Sequence, residues 1–168
     1  MKWVRPDGIH LTLKFLGEVP EERDGEVHAA LQRAAAGARA LTLALGAAAA
    51  GGAGGAGEMG FGVFPDFTRP RVVWVGIAAE PALEILQHRV EQEFAPLGFA
   101  TEARPFHPHV TLGRAARQAR PRDFAGLEAA LGRVEFAASV LVGALDLMQS
   151  TLQSGGAVYN VRHSERLL

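Results

Sequence analysis

Two tetrapeptides in this sequence share one pattern: His10-Leu11-Thr12-Leu13 and His109-Val110-Thr111-Leu112. With six histidines and 48% hydrophobic residues in the chain, about 0.1 such matches are expected from composition. In an extended strand, residues i and i+2 share a face and lie about 6.6 Å apart. Each motif therefore sets an imidazole beside a hydroxyl, with apolar neighbours turned to the core. Cleaving a phosphodiester needs a base for the attacking oxygen and an acid for the leaving one. Two imidazoles with an ordinary pKa of about 6.5 can hold opposite protonation states near neutrality. The threonine hydroxyls can hydrogen-bond non-bridging phosphate oxygens, and a nearby cation would stabilise the charge that develops. None of this requires a metal or another cofactor.

A sharper alternative rests on His107, two residues before His109. A His-x-His pair on one strand face can ligate zinc or iron. Arg104 to Arg122 contains no carboxylate, however, and the chain has no cysteine, so the usual ligand sets are missing. Cysteine's absence also excludes disulfides and thiol nucleophiles.

Several elements must position these residues. Ile9–Gly17 alternates apolar Ile9, Leu11, Leu13 and Phe15 with polar His10, Thr12 and Lys14, which predicts a strand after the turn at Pro6-Asp7-Gly8. A proline start, early acids and an alanine-rich body predict a helix over Pro20–Ala36. A strand follows at Ala40–Leu45, then an Ala/Gly stretch over Gly46–Gly57 that reads as a flexible loop. Phe61–Phe67 leads into a strand at Arg71–Ile77, and Leu83, Leu86, Val90 and Phe94 give Pro81–Pro96 helical spacing. Pro105 and Pro108 make Phe106–Arg114 a strand start or edge. A short helix at Asp123–Gly132 and a long apolar strand at Val134–Met148 follow, the latter pairing with Ala157–His163 through a turn at Gly155-Gly156. The mixture lacks a strict βαβ repeat and predicts an α+β fold with mostly antiparallel sheets.

Length and charge bound the rest. The 168 residues suit one domain or two small lobes sharing a core. A net charge of −1 would not draw a long polyanion, so any nucleic acid would be engaged through few phosphates, at an end or as a small ligand. Arg104, Arg114, Arg117, Arg120 and Arg122 form the densest basic run. Trp74, Phe61, Phe64 and Phe106 are candidates to stack a base. His28 and His88 read as surface residues on helices, and His163 as at most a supporting group. No signal core or membrane-spanning stretch is evident, so a cytoplasmic monomer with no membrane partner is expected.

With those residues in view, the sequence resembles the two-histidine (2H) phosphoesterase superfamily, defined by a pair of H-x-T/S-x motifs. His10-Leu-Thr-Leu-Lys-Phe-Leu-Gly17 and Pro108-His-Val-Thr-Leu-Gly-Arg114 resemble its RNA 2',3'-cyclic phosphodiesterases, also called 2'-5' RNA ligases. Phe64-Pro65, Arg69-Pro70-Arg71 and Trp74-Val-Gly76 fall where that family has a similar stretch. The resemblance implies one bilobal, pseudo-twofold α+β domain over residues 1–168, with motif one (10–13) in the first lobe and motif two (109–112) in the second. A central cleft would hold both motifs. It implies metal-free, cofactor-free hydrolysis of RNA ends carrying a 2',3'-cyclic phosphate to 2'-phosphates, with reversible, ATP-independent 2'-5' ligation. On that transfer His10 is the acid for the leaving O2', His109 activates water, Thr12 and Thr111 grip the phosphate, and Arg114 neutralises its charge. Lys14, on the His10 face, adds positive potential. Other readings keep the fold but act on a small nucleotide 2'-5' or cyclic phosphodiester, or leave only an RNA-end-binding remnant. Family members carry roughly a strand and a helix before motif one. Here Trp3-Val4-Arg5-Pro6 follows Met1 closely, so a bared sheet edge is expected.

Overall fold

The computed structural model of the protein describes residues 1–46, 60–153 and 156–168. The Ala/Gly loop beyond Gly46, and Gly155 of the expected turn, lie outside the described residues. The chain divides into two compact units. One comprises Met1–Thr12, Leu43–Ala79 and His107–Val140; the other comprises Leu13–Thr42, Glu80–Phe106 and Leu141–Leu168.

The first unit is built on a four-stranded antiparallel sheet. Its strands are β1 (Lys2–Trp3), β3 (Phe61–Phe64), β4 (Val72–Gly76) and β5 (His109–Arg114), in the order β1-β5-β4-β3. Leu41–Leu45 (β2) runs into this unit, where Leu45 pairs with Ile77. Val63, Val73, Val75 and Val110 are buried on one sheet face. These β-branched side chains suit a pleated, packed surface. Proline lacks an N–H for the ladder, and β5 accordingly begins only after Pro108.

The second unit packs two helices and a hairpin. α1 (Asp24–Ala35) buries Val27, Ala30, Leu31, Ala34 and Ala35, an i, i+3, i+4, i+7, i+8 stripe. α2 (Pro81–Phe94) starts with Pro81 at its first turn and with Glu80 accepting the Ala82 N–H at 3.1 Å. It buries Leu83, Leu86, Val90 and Phe94 and ends before Pro96 and the left-handed Gly98. Arg33 of α1 donates to Glu93 of α2 at 2.6 Å. The short α3 (Leu127–Leu131) lies in the first unit. The expected long strand over Val134–Met148 is two strands, β6 (Ala138–Val142) and β7 (Ala144–Gln153), because the pairing changes at Gly143. β6 pairs with β2, whereas β7 pairs with β8 (Gly156–Arg166). The α+β class with antiparallel sheets is thus as expected.

One expected element is absent. Ile9–Gly17 is not a strand: only Leu11 pairs, antiparallel to Val110. Pro6–Gly8 forms a 3-10 turn closed by Ile9 N–H to Pro6 O at 3.3 Å, which interrupts the ladder begun by β1. Beyond Thr12 the chain leaves for the second unit. The alternation is not realised over Leu13–Gly17: Phe15 is 83% exposed, whereas the Lys14 side chain is only 4% exposed.

Candidate active site

β5 carries motif two, and its outer edge is shared by two short pieces of chain. Lys2 and Trp3 pair with Arg114 and Gly113, and Leu11 pairs with Val110. Antiparallel pairing at Leu11–Val110 puts His10 opposite Thr111 and Thr12 opposite His109. Directly opposite Cβ atoms in such a ladder lie about 4.5–5.5 Å apart, and the diagonal pair, here His10 and His109, about 7–8 Å. The two His/Thr sets are therefore related by a local twofold at Leu11–Val110. Both sets belong to the first unit. Leu11 pairs at the edge of the sheet that contains motif two.

The two imidazoles are held by the same local device. His10 Nδ1 lies 2.7 Å from the Gly8 carbonyl, and His109 Nδ1 lies 2.7 Å from the His107 carbonyl. A carbonyl only accepts, so each Nδ1 is the N–H donor and the basic lone pair of the neutral ring resides on Nε2. Both rings are half-buried; Thr111 is half-buried and Thr12 exposed.

Arg114 reaches the same face through an irregularity. Strict alternation from His109 would put a residue five positions on across the sheet. Between β4 and β5, however, Val73 pairs with Gly113 while Trp74 pairs with Thr111, so Leu112 is an extra residue, a β-bulge. The bulge reverses the alternation, and Arg114, opposite Val72, shares the face of Trp74, Thr111 and His109.

An aromatic corner surrounds His109. Its ring centroid lies 4.9 Å from Phe64, 6.1 Å from Trp74 and 6.0 Å from His107. Gly62, opposite Trp74, makes room for it, since a Cβ there would sit 2.2 Å from Trp74 Cζ2. Burial holds the His109 pKa below its ordinary value. The hydrogen bond to the His107 carbonyl opposes that shift, and the charges of His107 and Arg114 add to it.

The structure thus brings His10, Thr12, His109, Thr111 and Arg114 onto one sheet face. Lys14 does not join them. Its ammonium is buried in the second unit, donating to Glu91 Oε2 at 2.5 Å and to the Ala100 carbonyl at 2.7 Å. That pairing satisfies its charge, so it supplies no free positive potential for a phosphate. Among the described residues, no group of three or more His, Asp or Glu side chains could hold a metal, and His107 and His109 gain no third ligand. The Leu112 bulge, Gly62 and the carbonyl role of His107 carry no signal in the sequence beyond His107's spacing.

A family model for the 2'-5' RNA ligase superfamily matches residues 2–153. The chain belongs to the 2'-5' RNA ligase superfamily. It is a 2H phosphoesterase, and its paired motifs are those that define the group. An RNA 2',3'-cyclic phosphodiesterase of Aeropyrum pernix is 33% identical over 160 residues, covering 95% of this chain and 82% of that protein. One from Methanothermobacter thermautotrophicus is 31% identical, covering 95% and 78%. Among solved structures, TT0787 of Thermus thermophilus superposes with a TM-score of 0.74 at 29% identity, covering 99% of this chain and 81% of that one. Escherichia coli LigT complexed with 3'-AMP does so with a TM-score of 0.69 at 27% identity, covering 99% and 80%. Among the described residues, no helix is long and apolar enough to cross a membrane.

Proposed function

We propose that this 2H phosphoesterase hydrolyses 2',3'-cyclic phosphates at RNA ends to 2'-phosphates, without a metal. The observation that carries the reading is the twofold His/Thr arrangement about Leu11–Val110. It sets an imidazole on each side of a point where a phosphorus atom can sit, with a hydroxyl beside each imidazole. The two relatives above carry the name RNA 2',3'-cyclic phosphodiesterase, which supports the substrate class.

His109, kept neutral by burial and neighbouring positive charge, takes a proton from water on Nε2 as the water oxygen attacks phosphorus. His10 gives a proton to the oxygen that leaves. A 2'-phosphate retains its P–O2' bond, so the bond that breaks is P–O3'. The proton from His10 therefore goes to O3', not to the O2' of the family-based expectation. Thr12 and Thr111 donate to non-bridging oxygens, and Arg114 faces the charge that builds on them. Replacing water by an RNA 5'-hydroxyl as nucleophile would give a 2'-5' linkage by the same proton transfers, with no ATP.

The test is a short RNA ending in a 2',3'-cyclic phosphate, incubated in EDTA with the wild type, His10→Ala and His109→Ala. Each substitution removes a general acid or base and should lower the rate by on the order of 10²–10⁴. Conversion to a 2'-phosphate that both variants lose supports the reading. Loss of wild-type turnover in EDTA rejects metal independence, and binding of the RNA end without turnover in any buffer rejects catalysis.

A further inference from the structure

The two motif histidines share a twofold and a holding device, yet general acid–base chemistry needs them to differ. The residue that supplies each holding carbonyl is where they part. On the His10 side it is Gly8, which has no side chain; on the His109 side it is His107. The His107 ring stands edge-on to Trp74 at 5.0 Å and to Phe64 at 5.5 Å, with His109 6.0 Å away. Its Nε2 is buried with no hydrogen-bond partner, as is Trp74 Nε1. A buried, unpaired ring nitrogen stabilises nothing by itself, so what the position uses is the ring's shape.

We infer that His107 is a positioning residue for the proposed base: its ring, wedged between Phe64 and Trp74, fixes the carbonyl that orients His109 and closes the corner that buries it. The inference rests on the reading of His109 as base. The groups facing His109 are Phe64 of β3, Trp74 of β4, Thr12 and the diagonal His10 of motif one, and His107 and Arg114 of its own segment. The charged neighbours identified for it, His107 and Arg114, both favour the neutral ring. Removing the His107 ring admits water and removes a neighbouring charge, both of which raise the His109 pKa. Burial is the largest cause of its shift, so the pKa should rise even as the loosened carbonyl pulls the other way. A base works only above its own pKa. The acid limb of the kcat/KM profile should then move to higher pH.

The experiment follows the His109 ring by NMR pH titration in the wild type, His107→Ala and His107→Phe, beside kcat and KM on the cyclic-phosphate RNA. In His107→Ala, His109 should titrate at higher pH, and kcat should fall on the order of 10- to 100-fold with KM little changed. Phenylalanine keeps the wedge and loses only the His107 charge, so His107→Phe should keep kcat near the wild-type value, with the His109 titration rising less than in His107→Ala. An unchanged His109 titration in a folded His107→Ala overturns the inference. So does a kcat loss of about tenfold or more in folded His107→Phe, which decides the matter if the alanine variant does not fold. The NMR arm needs no turnover. Expected titrations with an enzyme inert on the RNA would sink the proposed function, and with it the role of base, while still showing that the His107 ring holds and buries His109.

Discussion

Gly62→Ala tests whether the aromatic corner positions the histidines or merely neighbours them. A methyl at position 62 would lie 2.2 Å from Trp74 Cζ2 and 2.4 Å from Cη2, more than 1 Å inside ordinary carbon–carbon contact at about 3.5 Å. Trp74 is only 6% exposed and cannot simply swing into solvent. Either the indole shifts by about 1 Å or β3 peels from β4, and overpacking of this kind costs roughly 1–3 kcal/mol. For a chain of this size that is a fall in Tm of about 2–12 °C. The indole touches His107 and Phe64 and lies 6.1 Å from the His109 ring, so its displacement passes to His109. A 1 Å misplacement can cost about 10²-fold in rate. Thermal unfolding by circular dichroism and kcat on the cyclic-phosphate RNA, below the variant's transition, measure both effects. A Gly62→Ala protein with wild-type Tm and wild-type kcat would mean that Trp74 is neither tightly packed against position 62 nor coupled to His109. Reduced Tm with unaltered kcat would show that the corner stabilises the fold without positioning the histidine.

Lys14 and Glu91 are 4% and 10% exposed at the side chain, so Lys14→Met leaves a buried carboxylate unpaired and should destabilise by about 3–5 kcal/mol. Adding Glu91→Leu should recover most of that loss in a urea titration, while kcat of the folded fraction stays at the wild-type value in both. Arg114→Gln removes the positive charge on the His109 face and should lower kcat/KM by about 10², with Arg114→Lys intermediate. The same glutamine variant should move the acid limb of the pH profile upward, because Arg114 helps hold the His109 pKa down.

The sequence carries the site's composition better than its geometry. His10, Thr12, His109 and Thr111 are legible because period-two spacing is a local property that the single pairing at Leu11–Val110 suffices to bring together, although the ladder fails over Leu13–Gly17. Arg114 is placed by family resemblance alone. Counting alternation from His109 puts it on the wrong face, and only the Leu112 bulge, a feature of pairing with β4, restores it. Lys14 misleads for a related reason. Its alternation reads as a face, but its partner Glu91 is 77 residues away and no local pattern announces a long-range ion pair. Helices α1 and α2 are legible from their buried stripes. The division of Val134–Met148 is not, since an apolar run does not say where it changes partner.

The duplicated motif explains why two imidazoles meet, but a twofold by itself cannot assign roles. Two groups in equivalent surroundings would titrate together, and either could act as base while the other acted as acid. What distinguishes them must come from outside the repeat. The departures from symmetry collect on the second-motif side: the His107 ring where the first motif has Gly8, Arg114 brought round by the bulge, and Phe64 and Trp74 closing the corner. Each of these favours a neutral His109. On this view the repeat provides reach across the phosphorus and the flanking residues provide direction, so exchanging Gly8 and His107 should disturb the division of labour more than exchanging Leu11 and Val110.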